Sequence, residues 1–276
     1  MDSLIDMRYA CSQISLPACS ILFRNTVHAK YPGRAISILG INLYSPYTIM
    51  LLVLNIVLTI SLINRTQVKY SFPARREMLL FLRVYLGAQV FDLALCSGLI
   101  KTSWKAIYSA LVSFQVACTT TCFVSAMCTG LVWMLPNRVA SSCSKIAYLF
   151  TVCSLFSSFF LCLLSITSGL GVGLFALLYL VPLFFGTMFV FTQLSKLKIL
   201  NADIWDYGSL LVTASLAVCI GCTPFVLGMV VVIISDRYLD GTFLIHTLAL
   251  FAVIKMYGIW SMDKEQEIEC VNTVKQ

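Results

Sequence analysis

The reactive inventory of this chain is narrow: two histidines, twelve cysteines and twelve carboxylates in 276 residues. Two histidines cannot build the histidine boxes of membrane di-iron enzymes, and no H-E-x-x-H, G-x-S-x-G or G-x-x-x-x-G-K-[ST] pattern is present. The carboxylates that lie close in sequence are Asp203-Ile204-Trp205-Asp206 and Asp236-Arg237-Tyr238-Leu239-Asp240. Both segments read as loops with solvated oxygens on opposite sides of a bilayer, which rules out one acid/base pair. Eight cysteines, Cys96, Cys118, Cys122, Cys128, Cys153, Cys162, Cys219 and Cys222, sit inside apolar stretches, where cysteine is a small packing residue. Cys118 and Cys122 share a helix face, but no histidine or carboxylate stands near them in sequence to complete a zinc site. No catalytic, cofactor-binding or metal-binding residues are expected, and the chain is not read as an enzyme.

Two pairs remain. Cys11 and Cys19 lie eight residues apart in the N-terminal arm, where an oxidising compartment would let them close a small disulfide loop. Asp92 and His246 fall inside apolar runs, about eight residues from the lumenal end of the second helix and about four from the lumenal start of the seventh, which makes a hydrogen bond across the bundle a candidate. A polar pair in hydrocarbon is expensive to keep, so it is expected to stabilise the bundle or to mark a partner-binding face. Arg83 cannot join it: nine residues from Asp92, about two and a half turns, it leaves the opposite face of the same helix. Arg83 and Lys255 lie near helix ends and are expected to snorkel to the interface.

The elements that must position these pairs follow from composition. Hydrophobic residues make up 59% of the chain, charged residues only 11%, and mean hydropathy is +0.91. A soluble domain carries roughly 25% charged residues, so that class is excluded. Runs long enough to cross about 30 Å of hydrocarbon cover Tyr44–Ile63, Met78–Ile100, Ile107–Leu135, Ile146–Ser168, Gly171–Gln193, Ser209–Ile234 and Thr242–Trp260. The fold class is all-α, a polytopic membrane protein of about seven transmembrane helices. Its expected parts are a lumenal N-terminal arm (1–43), the bundle (44–260) and a cytosolic acidic tail (261–276). Pro182 and Pro224 should kink the fifth and sixth helices, and Gly169-Leu170-Gly171-Val172-Gly173 reads as a hairpin turn.

The acidic start, Met1 to Asp6, does not read as a cleavable signal, so the first helix is expected to be an uncleaved anchor. The net charge of +7 is spread through short segments between apolar runs, a mark of topology and not of nucleic-acid binding. Lys and Arg concentrate in alternate loops, at Arg65, Lys69, Arg75, Arg76, Arg138, Lys145, Lys196 and Lys198. The positive-inside rule then puts the N-terminus in the lumen and the C-terminus in the cytosol. A seven-helix receptor and a small-solute transporter are the alternatives from other classes. Against the first, the third helix ends Trp133-Met134-Leu135-Pro136 without an acidic-arginine motif, and no N-P-x-x-Y closes the seventh. Against the second, the two helix prolines have no counterparts in helices one to three, so no internal repeat is visible.

Three stretches together carry a resemblance. Cys11-Ser12-Gln13-Ile14-Ser15-Leu16-Pro17-Ala18-Cys19-Ser20 resembles the C-S-x-x-x-L-P-x-C-S arm of the fungal chitin synthase export chaperones. Tyr238-Leu239-Asp240-Gly241 resembles their Y-L-D-G before the last helix, and Trp260-Ser261-Met262 with the acidic run after it resembles their W-x-M and acidic tail. The resemblance implies a seven-helix endoplasmic reticulum membrane protein that lets a chitin synthase fold and leave for the cell surface, in support of cell-wall chitin. Its implied partners are the synthase itself, the lipid bilayer and export coat proteins, which would read Asp263 and Glu265 as an acidic-x-acidic signal. Candidate client-facing surfaces are the third helix, Ala117–Thr129, and the fourth, Ser154–Ser168, with internal packing the equal alternative for each.

Overall fold

Residue types at the helix starts and bends explain most of the architecture. The structure, a computed structural model, describes residues 11, 17–22, 35–38, 41–70, 72, 74–98, 104–134, 137–169, 171–199 and 202–273. Among them, seven helices are long and apolar enough to cross a bilayer. They are α1 (Pro46–Val68), α2 (Arg75–Cys96), α3 (Lys105–Met134), α4 (Asn137–Ser168), α5 (Gly171–Ile199), α6 (Ile204–Ile234) and α7 (Gly241–Thr273). In hydrocarbon only a helix satisfies every backbone group within one segment, so apolar runs of this length adopt it. Ahead of α1 lie a single helical turn, Cys19–Leu22, and an antiparallel hairpin of β1 (Ala35–Ile38) and β2 (Ile41–Tyr44).

The hairpin moves the start of α1. Tyr44, expected as the first helical residue, ends β2, and the helix begins at Pro46. Proline at the first helical position supplies a preset φ, and its ring disfavours right-handed helical backbone at the residue before it. Ser45, the N-cap, sits in the left-handed region at φ 55°. The prolines inside helices act through π turns. Ala176–Leu180 widens α5 just ahead of Pro182, and Thr223–Leu227 widens α6 around Pro224. Gly169 makes the tight turn between α4 and α5 at φ +70°. α7 runs past Trp260 to Thr273, so the tail expected from residue 261 starts as a continuation of the last helix.

α3 is the central post. It packs against α2, α4 and α5, while α1 packs between α2 and α7, and α6 closes against α7. In its membrane window 61% of α3 is buried, against 22% for α4, α5 and α6. Of the two readings of Ala117–Thr129, client surface or internal packing, the structure selects the second: this stretch is the inside of the bundle. Its small hydroxyls suit the placement. Thr120, Ser125 and Thr129 donate to carbonyls of their own helix, which hides their polarity and leaves a slim surface for close helix approach. At Gly130 α5 approaches closely, since a Cβ there would stand 2.8 Å from Gln193 Nε2 and 3.0 Å from a Phe189 ring carbon.

Candidate functional site

α1 turns a polar stripe inward. Thr48, Leu52, Asn55, Thr59, Leu62 and Thr66 recur at three- and four-residue spacing and are all buried, while Met50, Val53, Leu54 and Val57 face out. α2 does the same with Tyr85, Gln89 and Asp92. The two stripes and α7 meet in a polar seam. The Asn55 Nδ2 amide donates to Gln89 Oε1 and to the His246 carbonyl oxygen, each at 3.3 Å. Gln115 of α3 stands beside the Asp92 carboxyl.

The structure brings Asp92 and His246 together, with Oδ2 and Nε2 4.0 Å apart. That separation is too long for a direct hydrogen bond, so the two share one pocket of polarity through their neighbours. Asn55 Oδ1 and the hydroxyls of Tyr85 and Thr121 lie buried in the bundle without partners. Among the described residues no three His, Cys, Asp or Glu side chains gather as a metal site.

A second site closes the arm end of the bundle. Asp240 was expected to be solvated, but it is 4% exposed and its carboxylate accepts four hydrogen bonds. Ser45 Oγ (2.7 Å) and Thr48 Oγ1 (2.8 Å) donate from the start of α1; Thr242 Oγ1 (2.7 Å) and the Phe243 N–H (2.8 Å) donate from the start of α7. The Phe243 bond makes Asp240 the N-cap of α7, with Gly241 as first helical residue. One carboxylate thus serves two converging helix N-termini, whose dipoles favour a negative charge there. Beside it the Tyr238 ring meets Tyr47 edge-on at 6.3 Å, and Leu239 is held at both its N–H and its carbonyl by Ser235 Oγ. Asp203 and Asp236 are exposed, as their loop positions suggest.

The arm docks at the same end. Cys11 and Cys19 are joined as a disulfide and lie buried with Ala18 against Tyr108, Val112 and Val116 of α3, Cys162 of α4, and Leu174 and Leu177 of α5. Ser20 Oγ donates to the Pro17 carbonyl at 2.8 Å and to the Tyr108 hydroxyl at 3.1 Å. Leu16 lies outside the described residues. Closing so short a loop removes about 2–3 kcal/mol of chain entropy from the unfolded state. Cys11→Ser with Cys19→Ser is therefore expected to lower stability by about that amount. Thermal unfolding of the two proteins, with alkylation mass spectrometry to count free thiols, checks it; equal midpoints would contradict the docked arm.

At the opposite end Trp260 is fully buried against Phe72 and Tyr257, with the Lys69 ammonium 5.9 Å from its ring centre. The side chains of Met262, Asp263 and Glu265 fall outside those described. Sequence reasoning missed Asn55, Gln89 and Gln115 in the seam, and Ser45 and Thr48 at Asp240. The signal for the first three was an amide in the middle of an otherwise apolar helix.

Comparison with known proteins joins these sites. The chitin synthase export chaperone family matches over residues 3–273. A chitin synthase export chaperone of Yarrowia lipolytica is 24% identical over 73% of this chain, and the match covers 63% of that relative's own length. Proteins of the same name from Chaetomium globosum and Emericella nidulans are 23% and 22% identical, each over 96% of this chain and 83% and 84% of theirs. No solved structure matches. The receptor and transporter alternatives gain no support from these matches. With the match running from the arm to the end of α7, this chain belongs to the chitin synthase export chaperone family.

Proposed function

We propose that this protein is a membrane-embedded chaperone that a chitin synthase needs in order to fold, stay unaggregated and leave the endoplasmic reticulum, and that it catalyses no reaction itself. The observation that carries this reading is the family match over residues 3–273, together with the name shared by its relatives. The architecture supports it. A large polytopic synthase has polar helices that are costly to expose to lipid before assembly, and a small bundle with its own polarity turned inward can cover them.

α4 is the face we assign to the client. It presents Tyr148, Leu149, Phe156, Phe160, Leu161 and Leu164 outward, with the exposed small residues Cys153 and Ser157 among them. Rings beside small residues suit close packing of another transmembrane helix. Phe156, Phe160, Leu161 and Leu164 are the outward side of the Ser154–Ser168 stretch, whose Ser158, Cys162 and Ser165 turn inward. In the proposed orientation the arm and its disulfide face the lumen, while Arg75, Arg76 and the helical tail face the cytosol and its export coats.

The test deletes the protein in its own cell, or complements a null strain with it, and follows a tagged chitin synthase by microscopy and native gel. The expected result is a synthase held in the endoplasmic reticulum as aggregates until the protein returns. Normal arrival of the synthase at the surface without it would sink the reading.

A further inference from the structure

One cavity lies apart from the polar seam, the Asp240 site and the docked arm, and touches the outward face of α4 only at its rim, through Tyr148. It opens between α2, α3 and α4 at the loop end of the bundle, with a volume of about 240 Å³, and Arg76, Glu77, Ser125, Ser144, Lys145 and Thr151 line it. Glu77 is 7% exposed, and its Oε1 is buried without a hydrogen-bond partner. Glu77 is the one carboxylate among the lining residues, so a cationic donor inside the cavity would meet its complement there. Arg76 and Lys145 are exposed at its mouth.

The lining therefore asks for two opposite charges in one small molecule: a cationic donor deep inside, on Glu77, and an anion further out, between Arg76 and Lys145. A bare anion would face the Glu77 carboxylate, and a bare cation would meet two like charges on entry. Glu77 stands in the first turn of α2, and residues there lie at the level of lipid head groups. The exposed Tyr148 and Leu149 of α4 continue the wall toward the hydrocarbon, where acyl chains would run.

We propose that this cavity binds the phosphoethanolamine head group of a membrane lipid, with its ammonium on Glu77 and its phosphate between Arg76 and Lys145. A water claims about 30 Å³ of liquid, so the cavity has room for the roughly eight non-hydrogen atoms of that group. A primary ammonium offers three donors to the carboxylate, whereas a choline head group offers none, and this difference sets the specificity. The proposal stands on the cavity alone and does not depend on the chaperone reading.

The test is native mass spectrometry of the purified full chain in detergent, with phosphatidylethanolamine, phosphatidylcholine and phosphatidylglycerol offered at equal concentration. The ethanolamine lipid is expected to be retained about tenfold better than either competitor, the value of one charged hydrogen bond. Glu77→Gln, which keeps the shape, is expected to abolish that preference, and Lys145→Ala to weaken retention of both phosphatidylethanolamine and phosphatidylglycerol. Equal retention of the three lipids by the unmodified protein, or an undiminished preference in Glu77→Gln, overturns the proposal.

A series of lipids with one, two and three N-methyl groups asks the same question without mutation. Stepwise loss of retention supports the Glu77 contact, and a flat series overturns it. Free O-phosphoethanolamine separates the sources: no retention supports a lipid, while binding as strong as the lipid's identifies a soluble ligand and overturns the lipid assignment.

Discussion

Replacing Trp260 by alanine is expected to lower the free energy of unfolding by about 3–5 kcal/mol, the range for emptying a buried ring site. The side chain has no exposed surface and packs with Phe72 at 5.1 Å and Tyr257 at 5.6 Å between ring centres. It joins the core cluster that holds Met78, Leu82 and Val253. Its ring thus ties the segment between α1 and α2 to the cytosolic end of α7, in the proposed orientation. Lys69 adds a cation over three rings, those of Phe72, Tyr257 and Trp260, at 4.5, 5.8 and 5.9 Å. Trp260→Phe keeps most of the filled volume and should lose far less than Trp260→Ala. Thermal unfolding of the purified variants in detergent checks both, and an alanine variant as stable as the parent would contradict the packing described.

Asp240→Ala is expected to be nearly as severe, at about 2–4 kcal/mol, because it takes an N-cap from α7 and strands buried donors on α1. Asp240→Asn should fall between, since its amide oxygen can still accept from the Phe243 N–H while the hydroxyls of Ser45 and Thr48 lose a charged acceptor. The double-mutant cycle with Ser45→Ala carries the sharper information. If the 2.7 Å bond between them is formed, Ser45→Ala should cost little once Asp240 is already alanine. Strict additivity of the two substitutions would show that the carboxylate does not couple α1 to α7.

The seven spans were legible because twenty-residue apolar runs have one solution in a bilayer, and each helix lies where hydropathy placed it. The ends were less legible. Tyr44 is as apolar as its neighbours, and only Pro46, read as a barrier to helix at Ser45, tells strand from helix there. The role of α3 was legible only as two alternatives, because serine, threonine and cysteine look alike on a lipid face and in a close-packed interior; hydroxyls satisfied within their own helix, as those of Thr120 and Thr129 are, suit either place.

Asp240 follows a loop of charged residues, and that local pattern predicts a solvated carboxylate. The donors that bury it come from Ser45 and Thr48, nearly two hundred residues earlier, and no local pattern shows such a meeting. The period of the buried α1 stripe, Thr48, Leu52, Asn55, Thr59, Leu62 and Thr66, was present in the sequence all along. It is inverted relative to a soluble helix, with polar groups inside, so a search for an apolar face passes over it.

The meeting of α1 and α7 also sets a clock on synthesis. Ser45 and Asp240 are 195 residues apart, so at roughly 5–20 residues per second a ribosome needs on the order of 10–40 seconds to supply the second partner after the first. Through that interval Asn55, Gln89 and Asp92 lack the helix that carries His246, and their polar stripe borders lipid or whatever else occupies the membrane beside it. A protein whose last helix seals its own polar seam is, until that helix arrives, in the same unfinished condition as the polytopic chains it is proposed to protect. Chains cut short before Gly241 should therefore be cleared as unassembled membrane proteins, however well their first six helices insert.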